Sequence, residues 1–341
     1  MDTAQRFADF ARAAADGGSP VYAEWAAGMA ASPDLLAIVD RAWPTQRQPV
    51  LVFAVARWLG AETGSFEGLR AWLTSHADGF VTELDRRFTQ TNDVRRVGPV
   101  AVALTRLLRS STDGSQGSQE PRPVALLEVG ASAGLGLYPD RYDLAIGPAR
   151  LGDSASGVAV SVAVDAPDDH SATPAALPPI AYRGGLDLAP VDVTRADDRL
   201  WLETLLWPGQ DDRVALLRAA CAVAAADPPT LLTGDAVDGL DALVGLAPPG
   251  TRPVVVTSGT LVYLPGARRQ AFVDRVRELG VRWISYEKTG ILTGVHATIP
   301  DPALASGWFA TLALDGRAIA LGDAHGTRLR VIDREPGESP S

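Results

Sequence analysis

The chain has 341 residues, of which 46% are hydrophobic and 21% are charged, and its formal net charge at pH 7 is −10. This composition predicts a packed core in one large domain, or in one domain with a cap. The negative charge argues against nucleic acid as the main partner, because phosphate binding needs a basic face.

The number and spacing of cysteines and histidines limit which disulfides and metal sites the chain can form. The single cysteine, Cys221, excludes a disulfide within the chain and a zinc site built from cysteines. The four histidines are far apart and show no metal-ligand spacing, so we expect no metal site. The first residues lack a basic region followed by an apolar run, and no segment is long and uncharged enough to span a membrane. We therefore expect a cytoplasmic protein with no membrane partner.

Residues 1–110 show the apolar periodicity of helices. Phe7, Phe10 and Ala14, for example, recur at helical spacing. We predict a helical domain here that serves as a cap, a substrate domain or a partner interface. Polar, low-complexity sequence rich in Ser, Gly and Gln follows, and it predicts a linker over 111–122.

From 123 to 330 strand patterns alternate with helix patterns, which is typical of a parallel α/β sheet. The predicted core strands cover 124–128, 180–187, 230–235, 253–257 and 281–286. A stretch rich in Gly, Pro and Asp over 139–179 predicts an insertion between the first two. Segments 308–314 and 318–321 predict a hairpin with an Asp-Gly turn, and 331–341 predicts a disordered tail.

This order of elements favours one architecture. Five strand–helix units that end in an antiparallel hairpin are the layout of class I methyltransferases. We therefore predict an α/β fold with a Rossmann-like, class I methyltransferase-type sheet and an N-terminal helical domain.

The turn after the first predicted strand is the most informative local motif. A buried strand ends in Glu128, and a glycine-rich turn with Gly130, Ser132 and Gly134 follows, with a helix start expected after it. The pattern of an acid followed by G-x-x-x-G-x-G is closer to the first motif of S-adenosylmethionine (SAM) methyltransferases than to the dinucleotide pattern G-x-G-x-x-G. The alternative is any strand–turn–helix unit in which small residues pack closely.

Two further acids are expected at the same sheet edge. Asp187 and Asp235 end the second and third predicted strands, and the carboxyl ends of parallel strands share one edge. In a SAM site such acids accept hydrogen bonds from the ribose hydroxyls and the adenine amino group. The alternative is that they cap the helices that follow.

Candidates for the substrate side come from two places. Thr89 to Asn92 form an uncharged polar run that either caps a helix or lines a polar cavity, and Asn92 is our candidate there. Tyr286 and Glu287 end the fifth predicted strand and are candidates for a general base or a proton relay. The alternative is that both are ordinary residues at a strand end.

Four segments together resemble one bacterial family, the domain-of-unknown-function family 2332. They are 87–96 (RFTQTNDVRR), 126–142 (LLEVGASAGLGLYPDRY), 182–193 (YRGGLDLAPVDV) and 201–213 (WLETLLWPGQDDR). The resemblance spans nearly the whole chain and implies a SAM-methyltransferase-like core, with no established general activity. The chain departs from the family pattern at Gly136, where Asn is usual, and at Asp93, where Glu is usual.

Three functional hypotheses follow. The first is a SAM-dependent methyltransferase that acts on a small-molecule substrate, with secondary metabolism as the expected setting. The second keeps the fold and drops methyl transfer, so that the pocket serves elimination, cyclisation or ligand binding. The third is a non-catalytic subunit of a partner enzyme, with the helical region as the interface, in a homo- or hetero-oligomer.

Overall fold

A computed structural model describes residues 2–90, 93–112, 122–165 and 176–332. Most of the expected linker and of the expected tail, residues 113–121 and 333–341, lies outside the described residues. The chain forms two compact units, each built from two stretches. Unit 1 comprises Met1–Thr91 with Thr194–Arg218, and unit 2 comprises Asn92–Val193 with Ala219–Ser341.

Regular structure occupies both units. The described helices are α1 Thr3–Asp16, α2 Pro20–Ala30, α3 Pro33–Val39, α4 Pro49–Trp58, α5 Phe66–Arg86, α6 Val97–Thr112, α7 Ala196–Thr204, α8 Asp211–Ala226, α9 Leu240–Gly245, α10 Gly266–Leu279 and α11 Thr293–His296. The described strands are β1 Val124–Val129, β2 Asp143–Ile146, β3 Ala149–Gly152, β4 Ala159–Asp165, β5 Ile180–Asp187, β6 Thr230–Thr233, β7 Arg252–Ser258, β8 Arg282–Lys288, β9 Ala310–Leu314, β10 Arg317–Gly322 and β11 Arg328–Val331. The expected mixed α/β fold, with a mostly parallel core sheet and N-terminal helices, is confirmed. In the part of the chain that is described, no helix is both long enough and apolar enough to cross a membrane.

Unit 1 is helical and packs around aromatic side chains. Proline occupies the first position of α2, α3 and α4, where its missing N–H leaves no hydrogen bond unmade. Tyr22, Trp25 and Phe53 are fully buried, and the Tyr22 and Phe53 ring centroids lie 5.0 Å apart. These rings form the centre of the unit's core.

The second stretch of unit 1 is joined to the first by hydrogen bonds as well as by apolar packing. Arg57 Nη1 on α4 donates to the carbonyl oxygens of Thr204 and Leu206, at 3.0 and 2.8 Å. The same nitrogen lies 3.1 Å from Tyr22 Oη. Trp201 and Leu205 are buried in the core that the N-terminal helices form. Residues from both stretches therefore share one hydrophobic core.

Unit 2 contains the sheet, whose order is β3-β2-β4-β11-β10-β9-β8-β7-β1-β5-β6. Strands β6, β5, β1, β7 and β8 are adjacent in the sheet and parallel to one another. The chain runs from β1 outward to β5 and β6, and it then returns to the other side of β1 to form β7 and β8. Loops on the two sides of β1 consequently leave in opposite directions, and open α/β sheets typically bind their ligands at such a point of the carboxyl edge.

The prediction of a helix after the glycine-rich turn is wrong. The turn leads into one 3-10 turn, Leu135–Leu137, and the chain then continues to β2. Pro139 has no backbone N–H and disfavours helical geometry at the preceding residue, Tyr138, so a helix cannot continue. Tyr138 and Tyr142 are fully buried instead, and Tyr142 Oη donates to the carbonyl oxygen of Leu135 at 2.8 Å.

The expected insertion and hairpin are both present as structure. The chain between β1 and β5 supplies β2, β3 and β4, and β4 pairs in parallel with β11 at the far side of the sheet. Strands β9 and β10 form the hairpin, with Asp315 and Gly316 both at positive φ, 51° and 82°. Two positive φ values define the type I′ turn that suits the twist of a hairpin.

Candidate functional site

The carboxyl edge of the parallel strands in unit 2 gathers the predicted cofactor residues. Glu128 lies on β1, Asp187 ends β5, and Asp235 follows β6 by two residues. The N–H of Gly234 donates to the carbonyl oxygen of Asp187 at 2.9 Å, which ties the ends of β5 and β6 together. The predicted acids therefore follow one another across neighbouring strands.

The glycines of the turn make room for the protein's own side chains. Gly130 has φ +74°, and a Cβ there would overlap the side chain of Thr260. Gly134 has φ +69°, and a Cβ there would lie 2.8 Å from Pro229 Cγ. Both positions require glycine for a left-handed backbone and for close packing. These contacts explain the two glycines without a ligand.

Asp187 holds the turn in its shape. Its Oδ2 accepts the N–H of Ser132 at 2.8 Å, and its Oδ1 accepts the N–H of Ala189 at 2.9 Å. Ser132 has φ +51°, which is uncommon for a residue other than glycine. The carbonyl oxygen of Ser132 also accepts the N–H of Val191 at 3.0 Å. Asp187 thereby stabilises a strained serine beside Glu128.

Among the three predicted acids of this edge, Glu128 has the pKa that is shifted most. The residue is 8% exposed, and its Oε2 has no hydrogen-bond partner among the described residues. Burial raises the pKa of Glu128 to about 8, and the neighbouring carboxylate of Asp187 adds to the rise while Arg96 opposes it. A Cβ on Gly136 would lie 2.7 Å from Glu128 Oε1, so the backbone of Gly136 packs directly against the carboxyl group.

Two hydroxyl groups at this edge are, like Glu128 Oε2, buried without a hydrogen-bond partner in the described part of the chain. Ser132 Oγ and Ser258 Oγ are both buried and have no hydrogen-bond partner among the described residues. Ser132 belongs to the turn after β1, and Ser258 is the last residue of β7. A buried polar atom without a partner is rare in proteins and calls for a ligand or another explanation.

Arg96 connects several loops of this edge, and sequence reasoning missed it. Its Nη1 donates to the carbonyl oxygen of Ser258 at 3.3 Å, and its Nε donates to that of Ala324 at 3.2 Å. Gly259, at φ +67°, has no room for a Cβ because the guanidinium of Arg96 lies against it. The only sequence signal was its place in the basic and polar stretch 86–96.

Tyr286 and Glu287 lie on opposite faces of β8. Glu128 pairs with Val256 and Val256 with Ile284, so Tyr286, two residues beyond Ile284, shares the face of Glu128. Burial raises the pKa of Tyr286 above its usual range, with the charge of Asp323 adding to the rise, and the hydroxyl donates to the carbonyl oxygen of Asp323 at 2.6 Å.

Glu287 stabilises the loop after β7. Its Oε1 accepts the N–H groups of Thr260 and Leu261 at 3.1 and 3.2 Å. Burial raises its pKa to about 7, although these hydrogen bonds and Arg96 oppose the rise. A cavity of about 10 Å³ that Glu287 and His296 line has room for one water-sized molecule and not for a cofactor. A catalytic role for Tyr286 and Glu287 stays a prediction.

Asp235 lies at the edge in a charged setting. Its Oδ1 accepts the N–H of Val237 at 2.8 Å and that of Asp238 at 3.3 Å, and it forms an ion pair with Arg268. Burial works against ionisation, yet the two backbone hydrogen bonds and Arg268 hold the pKa of Asp235 below its usual range. The side chain is 40% exposed, so the carboxylate remains accessible to a ligand.

Asn92 lies outside the described residues, and the next residue, Asp93, is described. Asp93 caps the 3-10 turn Val94–Arg96 by accepting the N–H of Arg95 at 3.2 Å. Asp93 is the residue after the uncharged run 89–92, so its cap leaves both interpretations of that run, helix capping and a polar cavity, as predictions. Its carboxylate also contacts His325, which sequence reasoning considered only as a metal ligand. The described residues contain no group of three or more acids, histidines or cysteines that could hold a metal ion.

The fold and the edge define the class to which this chain belongs: mixed α/β proteins in which acids line the carboxyl ends of a parallel core sheet. The family model described as "uncharacterized protein conserved in bacteria (DUF2332)" matches residues 4–330. The chain belongs to this family, as the four sequence segments indicated. No curated protein matches it.

Proposed function

We propose that this protein is a SAM-dependent methyltransferase that acts on a small molecule. One observation carries the proposal: Glu128 Oε2 and Ser132 Oγ are buried without hydrogen-bond partners among the described residues, at the carboxyl edge of the sheet. Asp187 and Asp235 follow at the ends of the next two strands. Small-molecule sites in open α/β sheets typically lie at this edge and contain a few convergent polar groups.

The topology supports the proposal. The five parallel core strands, counted in chain order, lie in the order 3-2-1-4-5, with the first strand in the centre. This is the order at the centre of doubly wound nucleotide-binding sheets, whose ligands bind where the strand order reverses. Glu128 and Ser132 belong to β1 and its turn, which is the point of reversal here.

The residues present fit the polar ends of SAM. The free carboxylate oxygen of Glu128 and the hydroxyl of Ser132 suit the α-ammonium group, because an ammonium needs acceptors and a neutralising charge. Asp187 and Asp235 are the candidates for the ribose hydroxyls and the adenine amino group. When bound, SAM supplies a methyl group on a sulfonium ion, which a nucleophile of the substrate attacks.

The protein's contribution would be binding and orientation. A cation beside Glu128 favours its ionised form, so binding at neutral pH releases a proton from this carboxyl. Holding the nucleophile and the methyl donor in line at van der Waals distance supplies much of the acceleration of such a transfer.

A second candidate keeps the site and drops methyl transfer. The space above Gly130 is filled by Thr260, and the helix expected after the turn is replaced by one 3-10 turn. A single short turn presents fewer unpaired N–H groups to a ligand than a helix N-terminus does. These observations favour a small-molecule site for elimination or cyclisation at the same edge.

Calorimetric titration of the full chain with SAM and with S-adenosylhomocysteine tests the first candidate. We expect one-to-one binding that Glu128→Gln and Ser132→Ala each weaken about tenfold, or about 1.4 kcal/mol. Ser161→Ala, at an exposed serine of β4, is the matched control and should leave the affinity unchanged. Titration in two buffers with different ionisation enthalpies should show proton release at pH 7 that disappears in Glu128→Gln. A folded protein that binds neither compound refutes the proposal and leaves the second candidate.

A further inference from the structure

A histidine and a buried carboxylate form a hydrogen-bonded pair in unit 2. His325 Nδ1 lies 2.7 Å from Asp93 Oδ2. The Asp93 side chain is 4% exposed, whereas that of His325 is 48% exposed. The ring thus has one nitrogen fixed by a buried acid, and its Nε2 makes no hydrogen bond with another described residue.

The pair lies at the same edge of the sheet as the candidate cofactor residues. β10 is antiparallel to β9, and β9 is antiparallel to β8, so β10 ends at the edge where β8 ends. His325 is in the loop that follows β10. Arg96 joins this loop to the end of β7, because it donates to the carbonyl oxygens of both Ala324 and Ser258.

Arg95 holds the carboxylate of Asp93 in a fixed orientation. Its Oδ1 accepts Arg95 Nε at 2.9 Å, and its Oδ2 accepts Arg95 Nη2 at 2.8 Å. This two-point contact with a guanidinium stabilises the charged carboxylate and fixes its plane. A fixed carboxylate beside Nδ1 selects the tautomer of the neutral ring that carries its proton on Nδ1. The lone pair then belongs to Nε2, the nitrogen that the described residues leave without a hydrogen bond.

We propose that His325 is the general base of the reaction and that Asp93 is its positioning residue. This inference rests on the proposed function and adds to it the class of acceptor, a small molecule with a hydroxyl or amine that must lose a proton. The acceptor's oxygen or nitrogen forms a bond to the methyl carbon while the carbon–sulfur bond breaks, and that bonding pair stays on sulfur. The acceptor's proton passes to His325 Nε2, so the products are the methylated acceptor, S-adenosylhomocysteine and a protonated imidazole.

Nitrogen-15 NMR of the histidine side chains tests the geometry without a substrate. The chain has four histidines, and His325→Gln identifies the signals of His325. We expect the neutral ring of His325 to be protonated at Nδ1 in the wild-type protein. Asp93→Asn should move the proton to Nε2, because an amide can donate to Nδ1, and Asp93→Glu should restore the wild-type tautomer. A wild-type ring protonated at Nε2, or a tautomer that Asp93→Asn leaves unchanged, overturns the proposal.

A second measurement separates this inference from the proposed function. Calorimetry with SAM should give the same affinity for His325→Gln as for the wild-type protein and for the control His76→Gln, an exposed histidine of α5. Methyl transfer from SAM to a panel of small phenols and amines should fall about 100-fold or more in His325→Gln and stay unchanged in His76→Gln. If SAM binds and the two variants turn over at equal rates, His325 is not the base. If SAM binds and the wild-type protein methylates no phenol or amine, the acceptor class is refuted. In both cases the cofactor site stands. Absence of SAM binding in the wild-type protein refutes the methyltransferase itself.

Discussion

Replacing Glu128 by Gln should change how stability depends on pH. Glutamine has the shape of a protonated glutamic acid, and Glu128 is buried with a pKa of about 8. Below about pH 4.5 the carboxyl is neutral in the folded and in the unfolded protein. Between about 4.5 and 8 the unfolded chain releases a proton that the folded protein keeps, so the free energy of unfolding falls as the pH rises.

The size of the effect follows from the two pKa values. Each pH unit between them lowers the free energy of unfolding by about 1.4 kcal/mol, which gives about 5 kcal/mol from pH 4.5 to pH 8. Glu128→Gln has no such carboxyl and should escape this loss. The variant should therefore match the wild type within about 1 kcal/mol at pH 5 and exceed it by several kcal/mol at pH 9. Glu287 also titrates from an elevated pKa, but it is present in both proteins and its contribution cancels.

Urea denaturation at pH 5, 7 and 9, followed by circular dichroism, measures the difference. Glu278→Gln is the matched control, because Glu278 is an acid of unit 2 whose side chain is 63% exposed. The control should differ from the wild type by less than about 1 kcal/mol at every pH. If the curves for Glu128→Gln and the wild type stay parallel from pH 5 to 9, Glu128 is not a buried acid with an elevated pKa.

Two further predictions concern stability, one through packing and one through hydrogen bonds. Gly136→Ala places a Cβ against the Glu128 carboxyl and should lower stability by about 1–3 kcal/mol in urea denaturation. Gly245→Ala, at a helical glycine with open space around it, should be neutral or stabilising, and equal effects would refute the steric argument. Arg57→Met removes the donor to the carbonyl oxygens of Thr204 and Leu206 and should cost about 2–3 kcal/mol, measured as a lower thermal midpoint. An unchanged midpoint would show that solvent replaces these hydrogen bonds.

The elements with a distinctive local sequence pattern could be predicted from the sequence. The core strands β1 and β7 contain short apolar runs, and the β9–β10 hairpin is marked by its Asp-Gly turn. Strands β2, β3 and β11 have four residues each, and β11 pairs with β4, which is distant from it in the sequence. The false helix after β1 came from a glycine pattern read without the proline at position 139.

Some residues of the candidate site could likewise be predicted from the sequence, and others could not. Glu128, Asp187 and Asp235 could be predicted to lie at one edge because an acid at or just after the end of a predicted strand is visible in the sequence. Asp93 and His325 are 232 residues apart, and their contact depends on the strand order that places β10 beside the core. The burial that perturbs the pKa of Glu128 is likewise a property of the folded sheet.

The two-stretch composition of unit 1 has a consequence for synthesis on the ribosome. Its core lacks Trp201 and Leu205 until the ribosome has made about 100 further residues after Thr91, a delay of about 5–20 s. During that interval the N-terminal helices lack the part of the core that Trp201 and Leu205 supply, so Phe7, Phe53 and other core rings are incompletely buried. During translation they would therefore be substrates for chaperones, and a gene fragment that stops before residue 194 should yield an aggregating product.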